Sequence, residues 1–85
     1  MKNLDFEPRA RKEIEHWRRV DKNTTNKILG LLNEIRETPY YGTGKPEPLK
    51  HELFGCWSRR IDREHRLVYR VEEDVIVILS CRFHY

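Results

Sequence analysis

An 85-residue chain has room for one small domain, so a single domain over residues 1–85 with one modest core is expected. Hydrophobic residues make up 38% and charged residues 36%, a wet composition, yet an aromatic share of 11% is too high for a disordered chain. The formal charge of +3 is spread over both halves, which argues against a global basic field for nucleic acid and leaves only local anion sites.

Cys56 and Cys81 are the only cysteines, and they form no CxxC. No secretory apolar segment opens the chain, and no apolar run approaches the roughly 18 residues of a membrane span. A cytoplasmic protein with no membrane partner, no disulfide framework and no zinc knuckle is expected.

In chain order, Leu4 and Phe6 alternate around Asp5, the pattern of a short strand. Pro8 suits a first helical turn, and Ala10, Ile14 and Trp17 then recur at helical spacing. Asp21 is placed to cap a second helix, in which Ile28, Leu31, Leu32 and Ile35 form an i, i+3, i+4, i+7 stripe that Pro39 ends. Two helices in a hairpin follow. From Thr38 to Gly55 the chain is punctuated by Pro39, Gly42, Gly44, Pro46, Pro48 and Gly55, a long loop of the kind that carries function in small domains.

Beyond Gly55 the period becomes two. CWSRRI, HRLVYRV and VIVILSCRFHY read as three strands of an antiparallel meander, giving an α+β fold with two N-terminal helices packed on a small antiparallel sheet. Leu67, Tyr69 and Val71 share one face, with Arg66, Val68 and Arg70 on the other. In the last strand Val75, Val77, Leu79, Cys81 and Phe83 form the expected core row, leaving Ile76, Ile78, Ser80, Arg82 and His84 opposite. This phase puts Arg66 and His84 on one exposed face.

No GxSxG, no Walker-type GK[ST] and no metal-ligand spacing occurs, so neither a metal nor another cofactor is expected. Any chemistry must use ordinary acids, bases and cations: Glu47, Lys50, His51, Arg59, Arg60, Arg63, His65, Arg66, Arg82, His84 and Tyr85 are the candidates. RNA cleavage without a metal needs a base for the 2′-hydroxyl proton, cations for the phosphorane and an acid for the departing 5′-oxygen. Glu, Arg and His supply that set.

Each candidate also has a structural reading. Glu47 between two prolines suits a solvated turn, and Lys50 and His51 suit a loop surface. Arg59, Arg60, Arg63 and Arg66 alternate with Asp62 and Glu64 as a salt-bridge ladder would, and His65 suits a hydrogen-bonded turn. His84 and Tyr85 resist that reading, because the end of a chain needs neither.

GTGKPEPLKHELFGCWSRRIDREHRLVYRV followed by CRFHY resembles the YoeB (Txe/YoeB) toxins of type II toxin–antitoxin modules, within the RelE superfamily and its microbial-RNase-like fold. The likeness runs over nearly the whole chain, and the GKPEPLKH, WSRRI, EHRLVY and terminal HY blocks are specific together.

It implies a ribosome-dependent mRNA interferase that cuts the message in the A site of the 70S ribosome. Glu47 matches the general base, Arg66 the phosphate-stabilising cation and His84 the general acid, with Lys50, Arg60 and Tyr85 as substrate-binding positions. It further implies a YefM-like antitoxin, repression of operator DNA through the antitoxin complex, and a homodimer. Cys56 before Trp57 and Asp5 in the first strand depart from the family pattern.

Two other classes remain open: a non-catalytic toxin on the same scaffold, like the ParE gyrase poisons, and a homologue kept only to bind antitoxin or operator. The Glu47 and His84 pair favours the enzyme, since a gyrase binder needs no acid–base pair.

Overall fold

The computed structural model describes residues 2–84. It consists of β1 (Asn3–Phe6), α1 (Pro8–Val20), α2 (Lys22–Glu37), β2 (Glu47–Pro48), a 3-10 turn (His51–Leu53), β3 (Cys56–Arg60), β4 (Arg66–Val71) and β5 (Val75–Ser80). The five strands form one sheet in the order β1-β5-β4-β3-β2.

Both helices form where the apolar stripes demand. Pro8 opens α1, and Ala10 and Trp17 are buried. Asp21 caps α2 by accepting the Thr24 N–H at 3.0 Å, satisfying one of the donors a helix start leaves unpaired. Ile28, Leu31, Leu32 and Ile35 are all buried, and they meet Leu67, Tyr69, Ile76, Ile78 and Cys81 of the sheet in one core. Gly30 is on the exposed side of α2.

The sheet is mixed, which corrects the purely antiparallel expectation. β2, β3, β4 and β5 pair antiparallel, but β1 runs parallel to β5, with Asn3 opposite Val75 and Phe6 opposite Ile78. The helices carry the chain away from β1, so the strand that returns beside it can do so in the same direction. β2 was also hidden, inside the expected loop. Its Pro48 is tolerated because β2 lies at the sheet edge, and flanking bonds from Arg60 N–H to Gly44 O (2.7 Å) and Leu49 N–H to Cys56 O (2.9 Å) extend the pairing.

The phase of β5 is a second correction. Ile76 and Ile78, not Val75 and Val77, face the helices. Leu79 packs on the other face with Leu49, Leu53, Cys56 and Val68. Val68 pairs with Ser80 while Tyr69 pairs with Ile78, so β5 advances two residues where β4 advances one. This bulge restores the expected phase at Cys81, which rejoins the helix-side core. β5 is apolar on both faces, so alternation carried no phase signal.

Candidate functional site

The sheet face away from the helices is covered at one end by residues 49–53, through Leu49 and Leu53, while towards the other end Arg60 is exposed and Arg66 half-buried. Across it the register aligns Glu47, Ser58, Val68 and Ser80 in one row, from β2 through β3 and β4 to β5. Two residues further along, Arg60 stands opposite Arg66 on the same face. At about 4.8 Å per strand step and 3.3 Å per residue, the Glu47 and Arg66 backbones are roughly 12 Å apart, room for a phosphodiester between the two side chains.

Opposed arginines on neighbouring strands repel, and a structural ladder would answer them with carboxylates. Here it does not. Among the described residues neither Arg60 nor Arg66 makes an ion pair. Asp62 instead accepts the Glu64 and His65 N–H groups at 2.8 and 2.7 Å. Burial pushes the Asp62 carboxyl up, but those two bonds outweigh it and hold it below its ordinary range. Arg66 Nη1 donates to the Asp62 and His65 carbonyls at 2.8 and 3.0 Å, which fixes the guanidinium beside the turn between β3 and β4.

Arg59 takes the other course. It is fully buried and bonded at 2.6 Å to Glu34 Oε1. It also donates to the Thr38, Tyr41 and Thr43 carbonyls and to the Tyr69 hydroxyl. The loop from Thr38 to Thr43 is thereby strapped to β3, and it leads directly into Glu47. Arg59 is a structural residue, and its partners, mostly backbone carbonyls of a distant loop, are not those of the expected ladder.

The end of the chain is held at four backbone groups. Cys81 N–H donates to Glu13 Oε1 at 2.8 Å, and Cys81 O accepts Trp17 Nε1–H at 2.8 Å. Phe83 N–H donates to His65 Nδ1 at 2.7 Å, and Phe83 O accepts the Arg66 N–H at 3.1 Å. Phe83 is left-handed at φ +67°, a conformation a non-glycine residue keeps only when its surroundings impose it. His84 follows, exposed, directly after the residue bonded to Arg66.

The register puts Glu47, Arg60 and Arg66 on one face, and His84 follows the residue whose carbonyl bonds the Arg66 N–H. Lys50 is exposed in the segment beside Glu47, where residues 47–53 line an open cavity of about 540 Å³. Tyr85 lies outside the described residues. Of the remaining candidates, Arg63 and His51 are exposed, and Arg82 lies over the Phe83 ring at 4.5 Å. Burial pushes the Cys81 thiol up to about 12, so it offers no thiolate nucleophile. Glu13 and Trp17 were not expected at the site, and their i, i+4 spacing was the only hint that one helix face serves residues 81–83; His65, read as a hydrogen-bonded turn residue, accepts the Phe83 N–H.

Residues 6–85 match the family described as the YoeB-like toxin of bacterial type II toxin–antitoxin systems. The chain belongs to that family. Toxin YoeB of Escherichia coli (strain K12) is 54% identical over 70 residues, covering 82% of this chain and 83% of that one. A solved structure described as a YoeB/ParE toxin from Agrobacterium tumefaciens superposes with a TM-score of 0.95 at 44% identity, over 100% of both chains.

The YoeB dimer from Staphylococcus aureus superposes with a TM-score of 0.90 at 45% identity, over 99% of this chain and 98% of that one. The heterotetrameric YoeB–YefM complex from the same organism gives 0.89 at 44%, over 100% and 99%. The RelE-like expectation for the fold is thereby met. No helix among the described residues is long and apolar enough to cross a membrane.

Proposed function

We propose that this YoeB-like toxin is a ribosome-dependent endoribonuclease that cuts mRNA in the A site. The observation that carries the reading is the opposed Arg60 and Arg66 pair, unanswered by any carboxylate ion pair among the described residues, with Glu47 on the same face. A phosphate group between the two guanidiniums removes their mutual repulsion and meets ready charge-assisted donors.

In this mechanism the Glu47 carboxylate takes the proton of a 2′-hydroxyl, and the freed oxygen attacks the adjacent phosphorus. Arg66, with Arg60 and Lys50 near the substrate, stabilises the dianionic phosphorane. The bond from phosphorus to the 5′-oxygen breaks, and His84 delivers the proton that this oxygen takes up. The products are a 2′,3′-cyclic phosphate, which water can open to a 3′-phosphate, and a 5′-hydroxyl. Tyr85 serves as an aromatic face for a splayed base.

The family and the Staphylococcus aureus assemblies support a YefM-like antitoxin as the neutralising partner, and a homodimer as the toxin's own assembly. An acidic segment that folds on binding suits a face of exposed cations. The complex acts in turn at operator DNA, and action on ribosomes places the protein in the cytoplasm.

The test is to give antitoxin-free protein to 70S ribosomes holding a defined mRNA in the A site, beside the same mRNA with one 2′-deoxy nucleotide at the cut position. Cleavage of the first alone is expected. Cleavage of both overturns 2′-hydroxyl attack. Cleavage of neither, with toxicity in cells retained, moves the assignment to gyrase poisoning.

A further inference from the structure

We infer that His65 is a positioning residue for the reaction: its neutral imidazole holds the chain end so that His84 stands beside Arg66. This inference rests on the cleavage reading above for its catalytic consequence and on geometry alone for the clamp.

The side chain is 11% exposed and its imidazole is wedged between two rings, with Trp17 at 4.8 Å and Phe83 at 5.8 Å between centroids. Its Nδ1 receives the Phe83 N–H at 2.7 Å. A backbone N–H can only donate, so Nδ1 must present its lone pair and the ring proton must lie on Nε2, which faces Glu64 Oε1 at 3.6 Å. The tautomer is thus dictated by a backbone group of the segment that carries His84.

The same residue also serves Arg66. The His65 carbonyl accepts Arg66 Nη1 at 3.0 Å, while the next amide, that of Arg66, bonds Phe83 O at 3.1 Å. The ring therefore sets the chain end, the carbonyl sets the guanidinium, and one peptide unit joins them. No other side chain among the described residues bonds the backbone of Phe83. Without the imidazole acceptor, Phe83 loses one of the two bonds that hold its left-handed conformation. His84 then samples positions away from the leaving oxygen, although no group that binds substrate has been removed.

The test uses full-length toxin with His65→Leu, which keeps an apolar contact for Trp17 but has no acceptor, and His65→Asn, whose side-chain oxygen can take the place of Nδ1. In the wild type, the 15N shift of His65 Nδ1 is expected to be that of an unprotonated acceptor, and the Phe83 amide to be protected from exchange. In the Leu variant that protection is lost, and kcat on programmed ribosomes falls about 100-fold with KM unchanged, the scale of a misplaced catalytic group. The Asn variant recovers most of both, with cooperative thermal unfolding in all three proteins.

A protonated Nδ1 in the wild type, an equally protected Phe83 amide in the Leu variant, or an Asn variant as slow as the Leu variant overturns the inference. The first of these needs no variant and holds even if the Leu protein fails to fold. If the wild type does not cut, the cleavage reading falls with it, and the shift and exchange measurements still decide whether His65 holds the chain end.

Discussion

Arg60 and Arg66 face each other across β3 and β4, two like charges at one register position with no carboxylate ion pair among the described residues. Directly opposed like charges cost a sheet roughly 0.2–1 kcal/mol. Arg60→Gln is therefore expected to raise stability by about that amount in urea titration. The same change should make the salt dependence of ribosome binding shallower by about one unit of slope, as loss of one phosphate contact does. A variant that is less stable, or unchanged in its salt slope, would show the pair to be structural.

His84 lies past the Phe83 clamp and makes none of the bonds that hold the chain end. His84→Gln should leave the thermal transition where it is and lower single-turnover cleavage by about 10²–10⁴, the usual contribution of a general acid. Ribosome affinity should be nearly unchanged, because the arginines proposed to meet phosphate remain. Turnover at the wild-type rate removes His84 from the mechanism.

Arg59 presents the opposite case, a buried guanidinium whose every partner is protein. Arg59→Met leaves Glu34 without its cation and strips a donor from the Thr38, Tyr41 and Thr43 carbonyls. The expected loss is about 3–5 kcal/mol, a large part of the stability of a small domain. Lys should rescue little, since one ammonium cannot span three carbonyls and a carboxylate. Urea midpoints of the two variants check this, and near-wild-type stability in the Met variant would refute the strap.

The acid side of the stability profile follows from Glu34 and Asp62. The Thr43 N–H bond to Glu34 lowers its pKa, burial opposes it, and the Arg59 guanidinium adds to the lowering. Asp62 is also lowered, for the reasons given above. Both groups bind protons more tightly when the chain is unfolded. Their contribution is thus complete above the ordinary carboxylate range, near pH 4, and is lost as pH falls through the lower folded values. Thermal melts between pH 6 and pH 2, roughly, should show a plateau and then a decline. Glu34→Gln should flatten the decline, and an unchanged slope in that variant would remove Glu34 from the account.

How much of this was legible in the sequence depended on whether a residue's neighbours were local. The Ile28–Ile35 stripe and the Asp21 cap could be read because a helix places i, i+3 and i+4 together. The faces of β4 could be read because arginines alternate with apolar residues. β5 could not, since a central strand buried on both sides has no polar phase and its bulge leaves no mark in the letters. β2 was masked by its prolines, and the direction of β1 is set by helices that say nothing of which strand they return to.

At the site, Glu47, Arg66 and His84 could be named as candidates from their motifs, and among the described residues Arg60 and Arg66 make none of the ion pairs a ladder reading expects. The roles of Glu13, Trp17 and Arg59 were not legible, because each binds backbone from a distant part of the chain.

The place of β5 between β1 and β4 has a temporal consequence. A chain made from its amino end produces β1 first and β5 after every other strand described here, so β1 has no neighbour until Val75–Ser80 has been synthesised. The pairing with the greatest sequence separation is therefore also the last that can form, which slows folding relative to a local meander. Only then does Phe83 reach His65 and Arg66. Until then Arg66 lacks the Phe83 carbonyl that binds its N–H, so this corner of the sheet is completed only after β5 has been made.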